Sequence, residues 1–167
     1  DKRGIPLRFN TILADDRVRL EALYPGEFDI TEIRDSFDYI YETQRLISLS
    51  GKKLSSKRNQ INKFMMEYRD WKFEPITKDN IEYAHRMSLQ WCKDAGCTDD
   101  EGLFNESCAV EEAFQHFFEL ELDGGMLWAG GRVIAFSMGD ALNEDVYLQH
   151  IEKAYPSIPG SYQMINQ

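Results

Sequence analysis

Two groups of residues have types and spacings that could do chemistry. The first is "GKKLSSKRNQINKF" (51–64), which holds five of the nineteen cations of a chain with formal charge -10 and pI near 4.8. An Arg fork can grip an oxyanion with two parallel N–H bonds, a Lys adds a compact charge, and the free amides of a helix start add donors. Lys57 and Arg58 are therefore candidates to bind a ligand's phosphate. The alternative is that they pair with the protein's own acids, such as Asp35, Asp38 or Glu42. Lys52 and Lys53 read as solvated or steering charges. The second group is His150 and Glu152 in "EDVYLQHIEKA" (144–154). Strand alternation predicts both on one face with Val146 and Leu148. A His and a carboxylate two apart could take a proton from an attacking amine or hydroxyl. The alternative is a His hydrogen-bonded in a polar network, with Lys153 outside. Asp140 is a weaker candidate for the same work and could simply end a strand.

The elements that must position these groups follow from periodicity. Ser55 or Ser56 is a suitable N-cap, and Ile61, Phe64, Met65 and Tyr68 recur at i, i+3, i+4 and i+7 behind it. At about 100° per residue, Lys57 and Arg58 project toward this apolar stripe, while Asn59 and Lys63 point away. Two cations at the positive end of a helix dipole cost on the order of 0.3–1 kcal/mol, so an anion is expected near them.

Before this helix, "IPLRF" (5–9) is a strand candidate and "ADDRVRLEAL" (14–23) a helix stopped by "YPGE". "FDITEIRDSFDYIYE" (28–42) reads as extended chain, and "TQRLISL" (43–49) as a short helix ended by Gly51. After it, "WKFEPI" (71–76) is a strand, and Thr77 caps a helix to about Lys93 with Ile81, Ala84, Ser88 and Trp91 inward. Residues 94–107 read as a polar loop. A helix from about Glu106 to Leu120 follows, packing Val110, Ala113, Phe114, Phe117 and Phe118. "GGMLWAGGRVIAFSMGD" (124–140) predicts two strands joined at Gly130-Gly131, a turn that needs positive φ. Residues 144–154 form a third strand antiparallel to the second, and a helix begins near Ser161. His85 and His116 are expected at the surface, and Trp128 in the packing.

Composition excludes several classes. Residues 51–72 carry seven cations and two acids, whereas 74–123 carry three cations and thirteen acids. A whole-protein nucleic-acid coat, and DNA as a partner, are excluded, and a local anion site is not. No run of eighteen apolar residues occurs, so no transmembrane segment is expected in this chain. The sequence lacks an initiator Met and ends in mid-helix pattern, and so reads as the middle piece of a longer protein. Three cysteines, Cys92, Cys97 and Cys108, read as free thiols in a reducing cytoplasm, and no zinc or other metal spacing is present. Phosphate-loop, nucleophile-elbow, zincin and dinucleotide fingerprints are absent.

The order strand, helix, helix, hairpin, strand, loop, helix resembles the first two thirds of a GNAT-type acyltransferase domain, with a mixed α/β sheet. More specifically, "FDYIYETQRLISLSGKKLSSKRNQINKF", "GGRVIAFSMGDALN" and "HIEKAYPSIPGSYQMINQ" resemble a bacterial family grouped with the C-terminal domain of phosphatidylglycerol lysyltransferase. The resemblance covers nearly the whole chain. It implies tandem GNAT-like folds related to Fem-type aminoacyltransferases. Residues 1–50 would then be the C-terminal part of a first unit, 51–70 a basic connecting helix, and 71–167 the N-terminal two thirds of a second.

It also implies an enzyme that moves an aminoacyl group from charged tRNA to a lipid or another amine or hydroxyl acceptor. Such an enzyme would be cytoplasmic or peripheral to the membrane, with tRNA and an anionic lipid headgroup as partners. Lys57, Arg58, Asn59 and Asn62 match the family's basic stretch. Gly139, His150, Glu152, Lys153, Gly160, Tyr162, Gln163 and Asn166 match its second block. His150 and Glu152 would then be catalytic, and Gly160, Tyr162 and Gln163 would line the donor pocket, unless they only cap and pack. Acetyl-coenzyme A is the less favoured donor: the loop "YPSIPGSY" has one glycine where pyrophosphate-cradling loops have several. The expected chemistry is direct attack on an ester or thioester, with positioning and oxyanion stabilisation from the protein. The competing reading is a non-catalytic GNAT-like module that binds a phosphorylated ligand or a protein partner.

Overall fold

A computed structural model describes residues 4, 6–9 and 12–167. The chain divides into two compact units, Asp1–Tyr41 and Glu42–Gln167.

In the first unit, helix α1 (Ala14–Leu23) carries Asp15 and Asp16 in its first turn, where they favour the helix dipole. Its apolar positions Val18 and Leu23 are exposed. Residues 6–9 form no strand, and Ile5 of the predicted strand lies outside the described residues. The segment predicted as extended contains a short 3-10 turn, Arg34–Ser36, and no strand. Tyr39 and Tyr41 stack with ring centroids 6.4 Å apart, as an i, i+2 pair on extended backbone does, but no partner strand pairs with them.

The second unit begins with α2 (Thr43–Ser48), which ends on Leu49 in the left-handed region, two residues before the predicted glycine. A 3-10 turn, Lys52–Leu54, leads into α3 (Ser55–Glu67). Neither serine caps α3. The Ser55 hydroxyl donates instead to the Lys52 carbonyl at 2.7 Å, inside the preceding turn. Of the predicted stripe, Ile61 and Phe64 are buried.

Strand β1 (Lys72–Pro75) is followed by α4 (Ile81–Ala95) and α5 (Glu101–Gln115), then by β2 (Asp123–Ala129), β3 (Arg132–Ala141), β4 (Tyr147–Ala154) and α6 (Ser161–Ile165). The sheet order is β1-β2-β3-β4, and every neighbouring pair is antiparallel. The expected mixed sheet is therefore corrected to a purely antiparallel one among the described residues. Two helices, running out and back, separate β1 from β2, so β2 re-enters opposite to β1; a single helical crossover would have made them parallel. The β2–β3 turn is Gly130-Gly131 as predicted, both with positive φ (59° and 75°).

Register sorts the two faces. Met126, Phe136, Met138, Ile151 and Lys153 share the face covered by α4 and α5, where Phe114 packs 5.3 Å from Phe136. Leu127, Ala135, Ser137, Glu152 and Ala154 share the face covered by α6, which in turn packs on α3. Gly160 makes that last contact. Its φ is 88°, and a Cβ there would lie 2.8 Å from the Gln60 carbonyl oxygen, so no other residue allows α6 to start so close to α3.

Three expectations around α4 and α5 are corrected. First, α5 starts at Glu101, inside the predicted loop, because Asp100 caps it by accepting from the Leu103 N–H at 2.8 Å. It accordingly ends before Phe117, which is buried, and Phe118, which is 42% exposed. Second, Cys92 and Cys97 are paired in a disulfide with Cα atoms 5.2 Å apart, while Cys108 is free and exposed. Gly96 ends α4 in the left-handed region, and this brings the Cys97 N–H back to the Cys92 carbonyl at 3.1 Å. Third, His85 is not a free surface residue: it meets Glu111 of α5 at 2.7 Å, and Gln115 also donates to that carboxylate. These bonds hold the Glu111 carboxyl below its ordinary value.

Candidate functional site

Where α2, α3, β4 and α6 converge, they line an open pocket of about 70 Å³. Apolar Leu46 and Leu49 come from α2 and its cap, and Ile61 from α3. The polar lining is Lys57 from α3, Glu152 from β4, and Tyr162, Gln163, Asn166 and Gln167 from α6 and the residues that end it. The structure thus gathers Lys57, Glu152, Tyr162 and Gln163 from three stretches of sequence into one wall.

Glu152 is the best-defined group. Gln149 Nε2 and Asn166 Nδ2 both donate to its Oε2, at 2.6 and 2.9 Å. Its Oε1 accepts from no described residue. Burial raises the carboxyl's pKa above the ordinary 4.5, opposed by the two amide hydrogen bonds and by the Lys57 charge. A carboxylate that is partly desolvated, held in place through one oxygen and open at the other is suited to receive a proton.

Period-2 reasoning puts Gln149 and Glu152 on opposite faces, so this bond was not visible in the sequence. A bulge explains it. Gly139 pairs with Gln149 while Met138 pairs with Ile151, which leaves His150 as the extra residue. A Cβ on Gly139 would collide with the Leu148 carbonyl at this point. The bulge shifts the alternation and separates the two residues expected side by side. His150 lies with Asp140, Nε2 to Oδ1 at 3.0 Å, on the sheet face opposite Glu152 and outside the pocket. Lys153, expected outside, is buried instead. Its Nζ lies 2.7 Å from Glu106 and 4.0 Å from the centre of the Trp91 ring.

The basic stretch divides in the same way. Lys57 lines the pocket. The Arg58 Nη1 donates to the carbonyls of Leu49 and, at 2.9 Å, Gly51. The guanidinium thus satisfies the orphan carbonyls after α2 and, within its own unit, makes no ion pair with Glu42. Asn59 and Asn62 are exposed and do not line the pocket. Gly160 is buried at the head of α6, against α3. Sequence reasoning missed Leu46, Leu49 and Gln167. The spacing of Gln163, Asn166 and Gln167, at i, i+3 and i+4, was the available signal for one polar face at the chain's end.

Residues 1–167 match the family model described as phosphatidylglycerol lysyltransferase, C-terminal. A conserved protein of unknown function from Bacteroides thetaiotaomicron, solved by crystallography, is 41% identical with a TM-score of 0.83, over 92% of this chain and 52% of that one. A protein from Mycoplasmoides gallisepticum is 26% identical over 163 residues, 92% of this chain and 50% of that protein. The chain spans about half the length of these relatives. No helix among the described residues is long and apolar enough to cross a membrane.

Proposed function

Because this chain belongs to the phosphatidylglycerol lysyltransferase C-terminal family, we propose that it is part of an aminoacyltransferase with tandem GNAT-like units. In this reading 1–50 closes a first unit, 51–70 connects, and 71–167 opens a second. The order β1, α4, α5, β2, β3, β4, α6 supports the second assignment as a fold-level analogy. The donor is a charged tRNA, with acetyl-coenzyme A the less favoured alternative, and the acceptor is a lipid headgroup or another amine or hydroxyl.

The observation that carries the proposal is Glu152, with Oε1 open, in one pocket with Lys57. The acceptor's N–H or O–H attacks the ester carbonyl carbon, and Glu152 Oε1 takes the proton as the new bond forms. The carbonyl oxygen becomes an oxyanion beside the Lys57 ammonium. Collapse breaks the ester bond, and the leaving ribose hydroxyl takes the proton back from Glu152. A positioned base contributes about 10²–10⁴-fold.

The test is transfer of a labelled aminoacyl group from tRNA to anionic vesicles by the full-length protein. Glu152→Gln should lower the rate about 100-fold or more, with the circular-dichroism spectrum unchanged. One observation favours the non-catalytic alternative: the Lys57 charge acts on the Glu152 carboxyl and lowers its pKa, although less than burial and the two amide hydrogen bonds affect it. That alternative stands if the wild type binds charged tRNA and transfers nothing to any acceptor.

A further inference from the structure

We propose that Cys92 and Cys97 form a reversible dithiol–disulfide site that exchanges with a small thiol, and that the exchange occurs at the Cys92 sulfur. The site belongs to α4 and the residue beyond its cap, on the sheet face opposite the Glu152 pocket. Nothing in it depends on aminoacyl transfer.

The backbone holds the two sulfurs together before any bond joins them. Gly96 ends α4 in the left-handed region, with φ 70°, and folds the chain back over the last turn. The Cys97 N–H then donates to the Cys92 carbonyl at 3.1 Å, and the two Cα atoms lie 5.2 Å apart. That separation is within the range a disulfide spans. The bridge joins residues only 5 apart in sequence, so it removes little freedom from the unfolded chain. The cap, not the bridge, keeps the thiols adjacent. Reclosure is therefore intramolecular, at an effective concentration on the order of millimolar or more.

Access distinguishes the two sulfurs. Cys97 is 3% exposed. Cys92 is half-buried and lines an open cleft of about 300 Å³ between α4 and α5, together with Ser88, Ser107 and Cys108. A small thiolate in that cleft attacks Cys92 Sγ. The Cys92–Cys97 bond breaks, and Cys97 leaves as a thiolate that takes a proton. A second thiolate attacks the small thiol's sulfur in the mixed disulfide and frees Cys92, which takes a proton in turn. Two small thiols leave as one disulfide, and the protein gains two electrons and two protons. The reverse sequence, with a small disulfide as oxidant, closes the bridge. Cys108 lines the same cleft but has no helix cap holding a second thiol beside it.

The experiment uses the full-length protein, mercaptoethanol and hydroxyethyl disulfide as uncharged probes, and peptide mass spectrometry after acid quenching and alkylation. Wild type in excess mercaptoethanol should gain alkylation tags on Cys92 and Cys97 together, and lose both on transfer to the disulfide. Far-ultraviolet circular dichroism should be the same in the two states. Cys97→Ser, reduced and then given the disulfide, should accumulate the mixed disulfide at Cys92. Cys92→Ser should form it at Cys97 about tenfold or more slowly, because burial blocks exchange. Cys108 should be captured at a similar rate in every variant, which shows that the probe reaches the cleft. Equal or faster capture of Cys97, or no capture of Cys92 while Cys108 is captured, overturns the assignment of Cys92. A pair that resists excess thiol in the folded protein, or that stays open in excess disulfide, overturns the site itself.

Discussion

At the scale of single residues, Glu152 makes a prediction that separates its chemistry from its structural role. Its folded pKa is raised, chiefly by burial, so the charged form is the one that folding disfavours. The sign follows by linkage. A carboxyl with a raised folded pKa binds more protons in the folded than in the unfolded state between the two values. Stability therefore falls as pH rises from the ordinary value of 4.5 through the folded value, and is level above it. Glu152→Gln cannot ionise, and its amide oxygen can still accept from Gln149 and Asn166. Its melting temperature should lack that decline and equal or exceed the wild type's at pH 7, although transfer is lost. A melting temperature at pH 7 well below the wild type's would show that the carboxylate holds the fold together. Glu152, Lys57, Tyr162 and Gln163 came from separate motifs of the sequence, and the fold brings them to line one pocket. Arg58 was harder to read, because the carbonyls it satisfies exist as orphans only once α2 has stopped at Leu49.

At the scale of elements, legibility tracked how local the controlling signal was. The Gly130-Gly131 hairpin and the strand after it follow from turn chemistry and alternation over a few residues, and both are present. The start of α5 was also local, in Asp100 and its bond to Leu103, but an acidic stretch around it read as loop. The bulge at His150 was not local. It depends on Gly139, eleven residues away on the facing strand, giving space to the Leu148 carbonyl.

Lys153 pairs with Phe136 in the regular part of the same register, on the face that α4 and α5 cover, and joins β4 to both helices. Its ammonium is nearly buried between the Trp91 ring and Glu106, whose own side chain is 50% exposed. Orphaning a buried charge costs about 3–5 kcal/mol. Glu106 can return to water, so that full penalty does not apply here. Lys153→Met, which keeps the apolar stem over Trp91, should change unfolding free energy by less than about 1 kcal/mol. Lys153→Ala, which also empties the space of the stem, should destabilise by about 2 kcal/mol. Urea titrations of the three proteins measure both. A loss in Lys153→Met as large as in Lys153→Ala would show that the ion pair, not the packing, holds these elements together.

At the scale of the whole molecule, the core lies in one unit. The cluster around Phe64, Phe114, Met126, Ile134, Phe136 and Met138 belongs entirely to Glu42–Gln167. No described residue of Asp1–Tyr41 is buried; Leu13, Leu23 and Ile40 are largely exposed. This contrast was hidden from sequence patterning, because the apolar residues of the first unit have spacings as regular as those of the second. Periodicity reports a face without reporting its cover. A ten-residue helix is too short to be stable alone in water, and burial of apolar area is what would sustain it. A chain of residues 42–167 should therefore unfold cooperatively, with a melting temperature close to that of the full sequence. A chain of residues 1–41 should give the circular dichroism of a coil, with no thermal transition. Both are read by far-ultraviolet melts of the two pieces. A cooperative transition in 1–41, or its absence in 42–167, would mean that the stabilising contacts are distributed differently from the burial seen here.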